Sequence, residues 1–564
     1  MVRDRTMTHG DAPEIGTFDY IVVGAGSAGC VMAARLSENQ RHTVLLLEAG
    51  GADKDWRIDM PLGVATLLES GAHNWNYVTE PEPHLNNRQI PHPRGRVLGG
   101  SSSINGMVYT RGHGLDYDAW AAKYGCTGWS YADVLPYFRR SESCAGGEGP
   151  YRGGNGPLKT TAPDLTSAPL NKAFMEAGQQ AGYPLTADSN GYQQEGFGPN
   201  EMTIAAGRRW SAARAYLDPA RSRSNLRIES NALVECITFD GTRATGIQYR
   251  QRGRTCRARA VSEVVLCGGS FNSPQVLMLS GIGPAEALRS LGIAVVADRG
   301  SVGRNLQDHP DLTVQYWCKA PVTLFAASCF PGKWLTGLRW FLSRKGLAAS
   351  NQFEAAAYIR TGAGIQHPDL KLELLPLAFQ PDSFNPHPGH AFQIHMTMLR
   401  AESRGTVILR SPDPTAPPRI QFNYLSDPRD LATMRRAVRL AREIVHQPAL
   451  QAYAGDEIAP GAAAATESGL DTWIRNCIST AFHPTGTCRM GGDEDSVVDP
   501  QLRVRGVHGL RVVDASIMPQ VVSSNTNAPS MMLAERASDL IRGTSLPPAN
   551  LPYWVNPDWE TAQR

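Results

Sequence analysis

Phe18-Asp-Tyr-Ile-Val-Val-Gly24-Ala-Gly26-Ser-Ala-Gly29 decides how the chain begins to fold. Phe18 to Val23 reads as a short buried strand, and it runs directly into a Gly-x-Gly-x-x-Gly turn. Cys30 to Glu38 follows with helical composition, and Thr43 to Leu47 supplies a second strand that ends in Glu48. This is a βαβ unit whose glycines permit a tight turn, close approach of a pyrophosphate and close helix-to-strand packing. The phosphates belong on the helix N-terminus, where unpaired N–H groups and the dipole favour anions. Glu48, nineteen residues after Gly29, is placed to accept hydrogen bonds from ribose hydroxyls and to repel a 2′-phosphate. The motif indicates a dinucleotide and disfavours NADP. It does not separate NAD from FAD.

Two further small-residue stretches accompany it. Gly95-Arg-Val-Leu-Gly99-Gly100-Ser-Ser-Ser-Ile-Asn105-Gly106-Met-Val is too poor in large side chains to be a core strand, and its run of backbone N–H groups suits the polar edge of a bound cofactor. Gly268-Gly269-Ser-Phe-Asn-Ser273-Pro274-Gln follows a strand over Glu263 to Cys267. Pro274 suits the first turn of a helix ending near Ser280-Gly281.

Composition bounds the rest. At 564 residues the chain is too long for one ordinary domain, and 55 basic against 53 acidic residues leave a net charge of +2. Such a balance creates no field for gathering polyanions, so no nucleic-acid partner is expected. The first residues lack the apolar core of a secretory signal, and ten cysteines without a C-x-x-C pair suit a reduced cytoplasm. No stretch approaches the length of apolar residues that spans a bilayer, which leaves peripheral attachment to the inner face of a membrane open.

With these stretches in view, the chain resembles the glucose-methanol-choline (GMC) family of FAD-dependent oxidoreductases. Residues 95–111 are similar to its first signature and residues 269–283 to its second. Within it the likeness is to bacterial choline dehydrogenases, through Asn190–Gly198, Phe353-Glu354-Ala, Ser403-Arg-Gly405 and Ala481-Phe-His483-Pro-Thr-Gly-Thr-Cys-Arg-Met-Gly491. The resemblance implies an α/β fold: a Rossmann-like FAD-binding domain with an inserted substrate-binding domain built on an antiparallel sheet. The FAD domain is expected over 17–162, 226–308 and 466–545, and the substrate domain over 163–225 and 309–465. Residues 1–16 are expected to be disordered and 546–564 to form a surface tail.

The same resemblance implies noncovalent FAD, because Ile104 stands where choline oxidases carry the histidine that links to the flavin. It places the cofactor against Gly24, Gly26, Ser27, Ala28, Gly29, Glu48, Ala49, Arg96, Gly100, Ser101, Asn105, Gly106, Met107, Val108, Val234, Gly268, Asp514, Ala515 and Pro529.

Oxidising an alcohol needs a base for the hydroxyl proton beside a hydride acceptor, and neutral histidine suits that work near neutral pH. His483, held before Pro484, matches the family's catalytic histidine, whereas a zinc site with Cys488 lacks a second pair of ligands at suitable spacing. Asn527, in Ser523-Ser-Asn525-Thr-Asn527-Ala-Pro529, is expected to be its partner and to hold the alkoxide oxygen. The alternative to that role is an ordinary N-cap for the helix that follows.

Asp311 stands where choline oxidases use a glutamate for the trimethylammonium group, and Glu354 is a second candidate anion. The activity implied is oxidation of a primary alcohol, choline or another small alcohol, to an aldehyde. Electrons would pass to an external acceptor, a quinone or oxygen. A hydroxynitrile lyase and a fatty acid photodecarboxylase are alternatives on the same scaffold.

Overall fold

The computed structural model describes residues 13–564 except 167 and 382, and all but the side chain of 463. Its first sheet runs in the order Leu226–Glu229, Val44–Leu47, Glu14–Val23, Arg254–Leu266, Arg243–Gln251, Ala232–Asp240, with Leu510–Val512 paired to the far end of Arg254–Leu266. The pairs made by Glu14–Val23, Val44–Leu47, Leu226–Glu229 and Leu510–Val512 are parallel. Val44–Leu47 is buried along its whole length, as a strand covered on both faces must be.

The opening strand starts at Glu14, not Phe18, because Glu14 and Thr17 already pair with Arg257 and Arg259 of the long neighbouring strand. Residues 14–16 are therefore ordered; residues 1–12, which fall in the same expected frayed segment, lie outside the described residues. The helix after the second signature also starts earlier than its proline suggests, at Gly269, and ends at Leu279.

The carboxyl ends of the parallel strands converge at one edge. Val23 leads to Gly24, Leu47 to Glu48, Leu266 to Gly268 and Val512 to Asp514. In open α/β sheets this edge is where ligands bind.

The second sheet is antiparallel, in the order Ala454–Ala459, Pro310–Cys318, Ala391–Met398, Leu370–Leu375, Ala355–Ile359, Gly196–Pro199. Ser479–Thr480 pairs with Pro310–Asp311, and this contact carries the His483 turn to the end of the sheet. A hydrophobic core under each sheet holds it in place. Residues 546–564 carry no helix or strand, yet Leu551 and Tyr553 pack on the first core, and the Ala562 carbonyl accepts from Arg360. Among the described residues no helix is long and apolar enough to cross a membrane.

Candidate active site

A cavity of about 510 Å³ runs from the edge of the first sheet to one face of the second. At the first-sheet end its wall includes Gly24, Gly26, Ser27, Ala28, Glu48 and Ala49. The helix Ser27–Leu36 begins there with Gly26 as its N-cap and no side chain capping it, so its first N–H groups are free for an anion. Gly100 comes so near that a Cβ on it would lie 2.6 Å from Gly26 Cα, which keeps this end a bare backbone cradle. Glu48 Oε2 accepts from Ala25 N–H (2.9 Å) and Oε1 from Gly50 N–H (2.8 Å). Burial pushes its carboxyl up to about 7 against those two bonds. Lone pairs remain for ribose hydroxyls.

The middle of the wall is Gly100, Ser101, Asn105, Gly106, Met107 and Val108, with Val234, Gly268, Asp514 and Ala515 opposite. Arg209, fully buried, clamps this loop by donating to the carbonyl (2.6 Å) and side chain (2.7 Å) of Asn105. Asp514 ties the end of its own strand to the start of the helix Gly269–Leu279, accepting from Gly269 N–H (2.9 Å), Ser273 Oγ (2.6 Å) and Ser516 N–H (2.8 Å).

His483 stands at the far end on a turn pinned from both sides. Its N–H donates to Asp308 Oδ1 (2.7 Å), and Arg94 donates to the carbonyl of Phe482 (2.8 Å), a residue held at φ +65°. The imidazole contacts His309 through the two Nδ1 atoms (3.0 Å) and Asn525 Nδ2 through Nε2 (3.1 Å). Asn525 Oδ1 faces the ammonium of Lys371 (2.9 Å). An ammonium only donates, so the amide oxygen must point to Lys371 and the NH₂ to His483. His483 Nε2 is then an unprotonated acceptor, and its Nδ1–H is directed at His309. Burial first, then the nearby His309, Lys371 and Arg94, holds His483 well below the usual histidine pKa, so the ring is neutral. Burial likewise lowers His309 to about 4.

The second sheet supplies the floor. Lys371, Glu373 and Leu375 alternate on one strand, and Thr397, His395 and Gln393 lie directly across from them. Lys371 pairs with Glu373 (2.7 Å); burial opposes its charge, but the carboxylate prevails and its pKa is raised. Asp311 Oδ2 takes His395 Nδ1 (2.7 Å) and Oδ1 takes Thr397 Oγ1 (2.7 Å). Burial would lower the His395 pKa, but Asp311 outweighs it and raises it. Both carboxylates on this floor thus have a basic partner, Lys371 on Glu373 and His395 on Asp311.

The chain matches the GMC oxidoreductase family models over residues 18–311 and 401–534. The chain belongs to this family. It is 47% identical over 552 residues to a protein of Photobacterium profundum named oxygen-dependent choline dehydrogenase, covering 97% of each chain. A protein of that name from Rhizobium etli is 49% identical over 544 residues, covering 96% of this chain and 98% of the relative. Among solved structures, pyridoxine 4-oxidase from Mesorbium loti superposes with a TM-score of 0.85 at 32% identity, covering 94% of this chain and 100% of that one. An Aspergillus oryzae RIB40 formate oxidase variant superposes with a TM-score of 0.88 at 26% identity, covering 94% and 99%. This GMC oxidoreductase is an FAD-dependent enzyme acting on alcohol CH–OH groups. The cradle, the uncapped helix and the buried carboxylate fit that cofactor.

The structure revises several expected positions in this GMC oxidoreductase. The amide beside His483 is that of Asn525; Asn527 opens the helix Asn527–Arg542, and its Oδ1 accepts from Ser27 Oγ (2.7 Å) at the cofactor end of the cavity. Arg96 is off the wall, its guanidinium 4.7 Å from the centre of the Trp75 ring, and Arg94 lines the cavity in its stead. Gly29 and Pro529 are also off the wall. Gly29 serves packing, since a Cβ there would fall 1.8 Å from the Gly24 carbonyl oxygen, and Pro529 is buried in the helix after Asn527. Glu354 turns elsewhere, accepting from Ser350 Oγ (2.6 Å) and Asn171 Nδ2 (3.0 Å). Lys371, Glu373, His395, Asp308 and Arg209 were not foreseen.

Proposed function

We propose that the enzyme oxidises a primary alcohol to an aldehyde, with His483 Nε2 taking the hydroxyl proton and the Asn525 NH₂ holding the oxygen as negative charge develops. The observation that carries this is the 3.1 Å approach of Asn525 Nδ2 to an unprotonated His483 Nε2 at the cavity wall. A hydroxyl oxygen seated beside this pair would donate to Nε2 and accept from the amide NH₂. Bound FAD supplies the hydride acceptor. The Ser27–Leu36 N-terminus would receive its pyrophosphate, Glu48 its ribose, and the Asn105–Val108 backbone its ring. His483→Ala should slow anaerobic bleaching of the flavin by alcohol about 10²- to 10⁴-fold; unchanged bleaching would remove His483 from this role. The electrons then pass to an external acceptor, a quinone or oxygen, and the yield of hydrogen peroxide per alcohol consumed under air distinguishes them.

The head group of the alcohol is read from the floor. The curated relatives carry choline in their names, and Asp311 lies in the cavity as the choline reading requires. Both of its oxygens, however, are engaged by His395 and Thr397, and Glu373 is engaged by Lys371. A permanent cation would have to compete with these partners there, which favours an uncharged alcohol. Choline and its carbon isostere 3,3-dimethylbutan-1-ol have the same shape and differ in charge. The isostere should equal or exceed choline in kcat/KM, and a preference for choline of about tenfold or more would reverse this reading.

A further inference from the structure

The helix Gly332–Ser343 lies on the outside of the molecule with its sides reversed. Trp334, Leu335, Leu338, Phe341 and Leu342 fall at i, i+1, i+4, i+7 and i+8, which is one apolar stripe. In a soluble domain such a stripe faces the core. Here it faces outward: Trp334 is 75% and Leu342 79% exposed, and the preceding Phe330 is 84% exposed. The helix is held instead by Trp340 on its opposite side, which is fully buried against Met60 and Ala348 and donates to the Gly207 carbonyl (2.7 Å). Trp56, itself half exposed, packs at 5.6 Å on Phe341 and extends the patch.

The charge carried by this stretch of chain is of one sign. From Lys319 to Phe353 the chain carries Lys319, Lys333, Arg339, Arg344 and Lys345 and no acidic residue. None of the five forms an ion pair among the described residues. An outward stripe of Trp, Phe and Leu with a rim of Lys and Arg is the composition of a helix that lies in the interface of an anionic bilayer. A second copy of the chain is a poorer occupant, since a two-fold contact would bring the same cations face to face.

The patch also adjoins the cavity wall. Leu62 lines the cavity and packs on the Trp340 cluster, and Leu324, just before the hairpin that leads into the helix, lines the cavity as well.

We infer that the Phe330–Leu342 face seats the enzyme on an anionic membrane surface, with this side of the cavity wall turned towards the lipid. The FAD-loaded enzyme should sediment with vesicles of phosphatidylcholine and phosphatidylglycerol, much less with phosphatidylcholine alone, and binding should fall as salt is raised. Trp334→Glu with Leu338→Glu should abolish sedimentation while flavin absorbance and turnover with a soluble dye acceptor stay unchanged. Lys333→Gln with Lys345→Gln, which leaves the stripe intact, should weaken binding about fivefold per cation removed. Failure of the unmodified enzyme to bind anionic vesicles would overturn the inference. So would sedimentation that survives the glutamate pair, or a dimer in analytical ultracentrifugation that the same pair splits without any vesicle binding.

Discussion

The ammonium of Lys371 lies 2.9 Å from Oδ1 of Asn525, and this contact decides which end of the amide His483 meets. Lys371 in turn is fixed by Glu373, and Asn200 Nδ2 donates to the same carboxylate (2.7 Å). A chain of donors and acceptors thus runs from the second sheet to the imidazole. Each link leaves one orientation for the next.

Lys371 is therefore a positioning residue, and Lys371→Gln tests it. Neutral His483 is the reactive form, so kcat/KM should stay level as pH falls below 6.5, the ordinary histidine value, and drop only well below it. Removing the Lys371 cation removes one of the charges that disfavour imidazolium. The acid limb of the profile should then move to higher pH, with flavin reduction about tenfold slower on the plateau. A slower enzyme with an unmoved limb would mean that Lys371 acts on structure alone.

Asn525 and Asn527 should separate in their effects. Asn525→Ala removes the N–H that faces His483 and should lower flavin reduction about 10²- to 10³-fold at full FAD content. Asn527→Ala removes the partner of Ser27 at the cofactor end and should weaken FAD retention, read by gel filtration and flavin absorbance, with a smaller effect on the reduction rate of the loaded enzyme. The opposite pattern would restore Asn527 as the partner of His483.

His395 should make head-group preference depend on pH. Its pKa is raised above 6.5, so the pH range in which its cation offsets Asp311 is extended upward. As pH rises through that raised pKa the cation is lost and Asp311 stands uncompensated. The ratio of kcat/KM for choline to that for 3,3-dimethylbutan-1-ol should therefore climb with pH, and His395→Gln should raise it at the acid end of the range, where the native ring is protonated. A ratio flat with pH in both enzymes would show that the Asp311–His395 pair does not sense the head group.

The first sheet and the cofactor end were legible because backbone geometry makes them so: Gly24 and Gly100 are required by close approach, and a glycine requirement is visible in sequence. His483 was legible from its neighbours. The choice between Asn525 and Asn527 was not, since the two lie in one Ser-Ser-Asn-Thr-Asn run. Only the start of the helix at 527 sends the later one to Ser27 and leaves the earlier one on the turn beside His483. The floor was hidden for another reason. Leu370-Lys-Leu-Glu-Leu-Leu alternates as a strand with one face in water would, yet its charged face is buried against the cavity. Alternation reports that two faces differ, and not whether the polar one meets solvent or a site.

The bond between Ser27 and Asn527 joins positions 500 residues apart. At about 5–20 residues per second, the ribosome takes roughly 25 to 100 seconds to travel from one to the other. Through that interval the nascent chain has its glycine cradle without the wall that closes it. Flavin loading is then expected to wait for Asn527, and fragments ending before it should emerge colourless.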